Sequence, residues 1–480
     1  MTRSRSWLLS AVVVIVAIAI VGSLVTPTGR VARAARGGVA PVVASGLVCP
    51  TVSGGPGGRT TDMTVAHITA GPPPTAAYTP VFGTSSSQHA VSISLKPSVV
   101  VHKATPYGAV AVAAAGLGAD GVVASQTSLI AFGLGRGLSD LTCLPPGTDW
   151  WFVGMDGRVG VADLVFLVNP ADAPANVAIS LWSSRGPLSP PGANGIIVPP
   201  HSTVLRSISH FAPDVAGVSM RVHANSGTIS AGVVDLESSG TTATGNDSLP
   251  PTIAPTKNSV VTGFMPGATY DRLDLMNPGD HDATVSLRIL TPTKNFVPAG
   301  HQTVVVPAGH TSSVDLSGAI SGEAAAAVID SDVPVSAAAV TAQRPTTGFR
   351  ELAWLPAQQA LVGPAGIAAN VPPFNQKVDL ILTAPQATAK VRLHTPTGAS
   401  AVITVPAGRT VNVDLRALLH AGAGGPGPLL LTPLDAPVYV VRTLYAMGDH
   451  GPLMAAAAPM VLPKAIALPP VVPDPRAALP

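Results

Sequence analysis

Two cysteines, a handful of tryptophans and a scatter of acids and histidines are the residues here whose types could do chemistry. Cys49 and Cys143 lack the C-x-x-C spacing of a thiolate zinc site or a redox motif, so no metal centre or cofactor is expected from them. One disulfide is the reading if the chain is exported, with two buried thiols as the alternative. Trp150 and Trp151 follow Cys143 closely, and Trp182 comes later. Exposed, these three could stack on sugar rings; buried, they would be packing beside a disulfide. Asp271, Asp274, Asp280 and Asp282 cluster, but the D-x-D-x-D-G spacing of a calcium loop is missing, and turn or edge-strand use explains them. The histidines, among them His281, His310 and His394, form no H-x-H or i, i+4 pair and read as solvated. No G-x-S-x-G elbow, H-E-x-x-H or Walker loop occurs. Gly116-Leu117-Gly118 and Gly133-Leu134-Gly135 read as turn glycines, because no helix follows them to bind a phosphate. No catalytic residue, metal ligand or cofactor site is therefore expected.

The elements that would hold these residues are strands. Apolar runs alternate with clusters drawn from 48 glycines and 49 prolines in 480 residues. Proline breaks helices and punctuates turns, so this pattern favours many short strands. The length suggests about three or four domains. A net charge of +2, and the lack of a dense Lys/Arg patch with interleaved aromatics after residue 40, leave no reason to expect nucleic acid as a partner.

Near the amino terminus, Arg3 and Arg5 precede an uncharged run from Trp7 to Val25. At 1.5 Å per residue it spans about 28 Å, close to a bilayer core, and it exceeds the usual apolar region of a signal peptide. A single N-terminal transmembrane helix, placing the membrane among the partners, is expected within an anchor or signal segment 1–28. Cleavage after Ala32-Arg33-Ala34, releasing a secreted protein, is the alternative. Arg30, Arg33 and Arg36 after the run nearly balance the positive-inside count. The cysteines, both beyond the run, are what place the long carboxy-terminal part outside.

One unit recurs. DLVFLVNPADAPANVAISLW from Asp163, DLMNPGDHDATVSLRIL from Asp274 and DLILTAPQATAKVRLHTP from Asp379 each read as a strand, a Pro-containing turn and an alternating strand. Val177, Ile179 and Leu181 share one face of the second strand, as do Val285, Leu287 and Ile289, and Val391 and Leu393. A strand–turn–strand follows each: IIVPPHSTVL, VVVPAGHTSSVDL and ITVPAGRTVNVDL. A final hairpin with a polar tip is expected to close each unit. Pro200 to Pro307 is 107 residues and Pro307 to Pro406 is 99, a period that suits a sandwich of about seven strands. SLKPSVVVHK and AVAVAAAGLGADGVVAS mark an earlier, degenerate copy. The expected fold is all-β, with tandem immunoglobulin-like β-sandwich modules at 61–148, 149–250, 251–347 and 348–462. A linker at 29–60 precedes them, and a Pro-rich disordered tail at 463–480 follows.

The apolar N-terminal segment, Cys49-Pro50, Cys143 and the Asn-Pro and Val-Pro-Ala-Gly hairpins resemble an actinobacterial family of secreted or membrane-anchored proteins, domain of unknown function 5719. The resemblance covers nearly all of the chain after the apolar run. It implies an envelope location, and it carries no catalytic residues to transfer. The expected role is a membrane-anchored structural or interaction protein of the cell envelope, without catalytic activity. Two alternatives stand beside it: a cell-wall or carbohydrate-binding protein, and a hydrolase with paired carboxylates at a module junction. The expected partners are the membrane, a wall glycan or another envelope protein.

Overall fold

The structure, a computed structural model, describes residues 38–50, 59–81, 89–96, 98–102, 108–345, 349–368, 377–420, 427–462 and 466–468. The apolar run from Trp7 to Val25 and the Ala32-Arg33-Ala34 site lie outside these residues. Among the described residues no helix is long and apolar enough to cross a membrane. Two compact units are present. The smaller draws on residues 1–41 and 463–480, and its described part is an antiparallel ribbon of Gly38–Ala40 with Ile466–Leu468. Part of the segment expected as a disordered tail is thus a paired strand, because its Ile-Ala-Leu finds a ladder partner.

The larger unit, Val42–Leu462, is all-β and repeats one β-sandwich-like plan four times. Each module has two sheets. In the second module one sheet runs Ser202–Ser207, Val161–Asn169, Ser230–Ser239, Thr242–Leu249. The facing sheet is built on Asp149–Met155, Val218–Ser226 and Ala175–Ser183. The alternation in the sequence decides which side is core. Val177, Ile179, Leu181, Val285, Leu287, Ile289, Val391 and Leu393 are all buried between the sheets. Thr284, Ser286 and Lys390 between them are exposed.

Three expectations change. The expected linker contains Ala44–Cys49, which pairs with Ala109–Ala115 and so belongs to the first module. The third module extends past 347, because Glu351–Gln358 pairs with its long strand Ala325–Gln343. The expected closing hairpin is not a hairpin within one sheet. Val218–Ser226 and Ser230–Ser239 lie in opposite sheets, and in the third module both halves form the single 19-residue strand Ala325–Gln343, which serves both sheets. The chain crosses between layers there. Its second half is apolar enough to fill the gap between the strand that begins the repeat and the last strand of the module.

The last strands decide the arrangement of the modules. Gly137–Thr142, Thr242–Leu249, Glu351–Gln358 and Gly451–Ala457 each pack against the next, and the fourth packs against the first. The four modules therefore close into a ring around a hub. Buried polar groups stitch it. Glu351 of the third module accepts the backbone N–H groups of Leu138 (3.2 Å) and Asn246 (3.1 Å), from the first and second. Asp247 of the second accepts the N–H of Trp354 at 2.8 Å. Asp140 of the first accepts from Arg442 of the fourth and from Thr127. Arg136 of the first donates to the carbonyls of Gly451 (2.8 Å) and Pro452 (3.1 Å). Low dielectric makes such bonds strong when satisfied and costly when broken.

Candidate functional site

The four copies share one acid. Asp62, Asp163, Asp274 and Asp379 occupy matching places in the strands Arg59–His67, Val161–Asn169, Tyr270–Met276 and Lys377–Ala384. Their cross-strand neighbours differ: Thr127, Asp235, Ala338 and Thr443 respectively. Only the second copy sets acid against acid, and Asp235 is itself opposite Asp247 on the next strand. Directly paired residues project to the same face, so three aspartates stand in a row across three strands. Their exposures are 1%, 2% and 0%.

This row faces the third module. Between them is a cavity of about 200 Å³, walled by Asp163, Asp235 and Glu237 on one side and by Tyr270, Arg272 and Trp354 on the other. Asp156, Arg158 and Arg344 complete its charged lining. Gly154 makes the close approach possible. It sits at a bulge in Asp149–Met155 with φ at 103°, and an added Cβ would lie 2.6 Å from Trp354. The indole N–H of Trp354 then reaches Asp235 Oδ2 at 2.8 Å, while its ring lies under the Arg272 guanidinium. The backbone N–H of Asp156 donates to Asp163 Oδ2 at 2.5 Å. The other oxygens, Oδ1 of Asp163 and Oδ1 of Asp235, are buried with no hydrogen-bond partner.

The protonation of the row follows from this geometry. Burial, then the charge of Asp235, pushes Asp163 well above the ordinary carboxylate range. Burial, then Glu237, pushes Asp235 up to about 8. Burial raises Glu237 as well, against the pull of Arg272. Asp235 therefore carries a proton at neutral pH. The other junctions also carry small neutral contacts: Ser139 with Ser248 (3.1 Å), Thr262 with Thr383 (2.7 Å), and Ser125 with the Ala368 carbonyl (2.9 Å).

The residues singled out in the sequence fall elsewhere. Cys49 and Cys143 form a disulfide that ties the two sheets of the first module together, and both are fully buried. Trp150 is core of the second module, 8% exposed, its indole N–H bonded to the Ile229 carbonyl. Trp151 stacks on Trp182 with ring centres 5.9 Å apart, and Arg221 covers its ring. Val153, Met276 and Ala338 pack around that pair, leaving Trp182 only partly buried. The acids of the third module disperse: Asp274 joins Arg272, Asp280 lies beside His281, and Asp282 accepts the Ala308 N–H. Among the described residues no group of His, Cys, Asp and Glu has the arrangement to hold a metal ion. Asp235 and Glu237 were not anticipated. The signal was there in Val233-Val234-Asp235-Leu236-Glu237, two acids on a strand whose counterparts in the third copy are Ala338 and Val340.

A ring of four like modules around a polar hub, with an acid-lined cleft between the second and third, defines an all-β modular protein. The chain belongs to the family of unknown function DUF5719, whose model matches residues 99–424. No curated protein matches the chain.

Proposed function

We propose that this is a membrane-anchored interaction protein of the bacterial cell envelope, with the ring outside the membrane and the cleft as its ligand-binding site. The closure of the ring carries the binding reading. The cleft walls come from two modules that the hub holds at fixed separation, and a preorganised site loses less freedom on binding. The Cys49–Cys143 disulfide supports an oxidising, extracytoplasmic location. The apolar run from Trp7 to Val25 supports the anchor. Within each module the pairings Val161–Asn169 with Ser202–Ser207 and Ala175–Ser183 with Val218–Ser226 support an immunoglobulin-like reading. Ser230–Ser239 departs from it by lying beside Val161–Asn169 rather than Val218–Ser226.

The test is labelling of intact cells expressing the full chain with a membrane-impermeant amine reagent. The ring's exposed Lys257, Lys294 and Lys390 become labelled without lysis if the reading holds. Labelling only after lysis places the ring in the cytoplasm and removes it. Co-pelleting of the solubilised protein with cell-wall sacculi then separates a wall ligand from a smaller one. A second reading, a hydrolase, is favoured by the Asp163–Asp235 pair. An acid at about 8 beside a second carboxyl suits proton donation at neutral pH. A panel of glycoside and ester substrates, with the Asp235→Asn protein as the blank, tests it.

A further inference from the structure

We propose that the cleft between the second and third modules binds a small organic cation, an ammonium or guanidinium group seated against Asp163, Asp235 and Glu237. This deepens the reading of the cleft as a ligand site and rests on it.

The argument begins with the repeat. In the third copy the shared aspartate, Asp274, is met by Arg272 two residues earlier on the same strand, at 2.9 Å. In the fourth, Asp379 is met by Lys377, again two residues earlier, at 3.0 Å. Residues two apart on a strand share a face, so each of these copies supplies a cation to its own aspartate. The second copy has Val161 at that place, and in front of Asp163 there is a cavity of about 200 Å³ whose cations come from other positions, Arg158, Arg272 and Arg344. A second acid, Asp235, stands where the third and fourth copies have Ala338 and Thr443. The second copy, like the first with Thr60, has no cation at this place, and it alone sets a second acid opposite the shared one.

The cations already in the cleft are engaged. Arg158 is bound to Asp156 at 2.5 Å and, at 56% exposure, sits at the mouth. Arg272 is held by Asp274, and Arg344 lies over the Tyr270 ring at 3.6 Å. Asp247, the third acid of the row, is taken by the N–H groups of Trp354 and Ser248. What stays unmatched is one buried oxygen on each of Asp163 and Asp235; Glu237 beside them already faces Arg272, Arg344 and Arg158. Buried charges are stable when paired, and an entering cation pairs them. The lining joins carboxyl groups with the aromatic rings of Tyr270 and Trp354, which suits an ammonium or guanidinium group. The volume lies below the roughly 300–1,000 Å³ of ordinary ligand pockets, which fits a head group and not a glycan chain.

Without a ligand, protons neutralise these acids. An entering cation displaces a proton from Asp235, so affinity rises with pH, by up to about tenfold per unit below the pKa of that group. The test uses methylguanidinium, with its neutral isostere methylurea as the comparison, on the full chain in detergent carrying fluorotryptophan. Trp354 is the reporter, because its indole donates to Asp235; Trp354→Phe identifies its resonance. The expected result is a saturable shift with methylguanidinium, absent with methylurea, tightening about tenfold from pH 6.5 to 7.5. Asp235→Asn keeps the acceptor for Trp354 and makes that pH slope shallower. Equal binding of methylurea, or a flat pH profile in the unaltered protein, overturns the cation and leaves the cleft as a ligand site. No shift of Trp354 with either probe, or with acetate and xylose, overturns both.

Discussion

Asp235 is one of several buried acids, with Asp163, Asp247, Asp271 and Glu351, that shape the pH behaviour of the second and third modules. Its folded pKa, about 8, lies above its ordinary value of 3.8, so the folded state binds the extra proton between those limits. Stability from this group is fully present below about pH 4 and is lost as pH rises through 8. At about 1.4 kcal/mol per unit the ceiling is on the order of 5 kcal/mol. Asp235→Asn cannot ionise and keeps an oxygen for the Trp354 indole. Denaturant titrations should find it close to the parent at pH 5 and more stable than the parent at pH 9. The reverse order at pH 9 would mean that the ionised carboxylate is the stable native form. Gly154 is the second critical residue. Gly154→Ala adds a Cβ 2.6 Å from Trp354 at a φ that side chains avoid. A cost of about 1–3 kcal/mol is expected, with a red-shifted tryptophan emission as the indole leaves Asp235.

At the scale of elements, the strands were legible in the sequence because period-2 alternation in Val177–Leu181 and Val285–Ile289 is a local signal. The pairing of the last two strands was not. Ala325–Gln343 is rich in alanine, and nothing in that composition tells a hairpin from one strand shared by two sheets. The cleft was half legible. Asp163 stood out as the start of a repeat, but its partner Asp235 is 72 residues away in sequence, and only the register of Val161–Asn169 against Ser230–Ser239 joins them. The comparison of Val161 with Arg272 and Lys377 was available in the sequence, and it gains meaning only once the cavity is seen. The disulfide belongs to this scale as well. It closes a separation of 94 residues between the sheets of the first module. In the chain-entropy model such a link is worth about 4–5 kcal/mol. The Cys49→Ala/Cys143→Ala protein should show that loss in denaturant titrations, and protection from hydrogen exchange should fall first at Ala44–Cys49.

For the whole molecule, the joint between the fourth and first modules matters most, because no peptide bond directly links those two. Arg442 and Asp140, both buried, span it. Arg442→Met strands a buried carboxylate and should cost about 3–5 kcal/mol. Calorimetry should then resolve an early transition as the ring opens. Adding Asp140→Leu removes the stranded charge, and recovery toward the parent transition would show that the loss came from the unpaired acid. A single undisturbed transition in Arg442→Met would mean that the joint does not govern cooperativity. Ring closure also bears on how such a chain can change over time. An open row of modules can lengthen by duplicating a unit, since each newcomer meets only one neighbour. A closed circuit allows no such step: a fifth copy would find no gap, and a lost copy would leave two flanks bare. The number of modules is thus fixed by geometry, and divergence is confined to altering single copies in place, which is where the second copy departs from the other three.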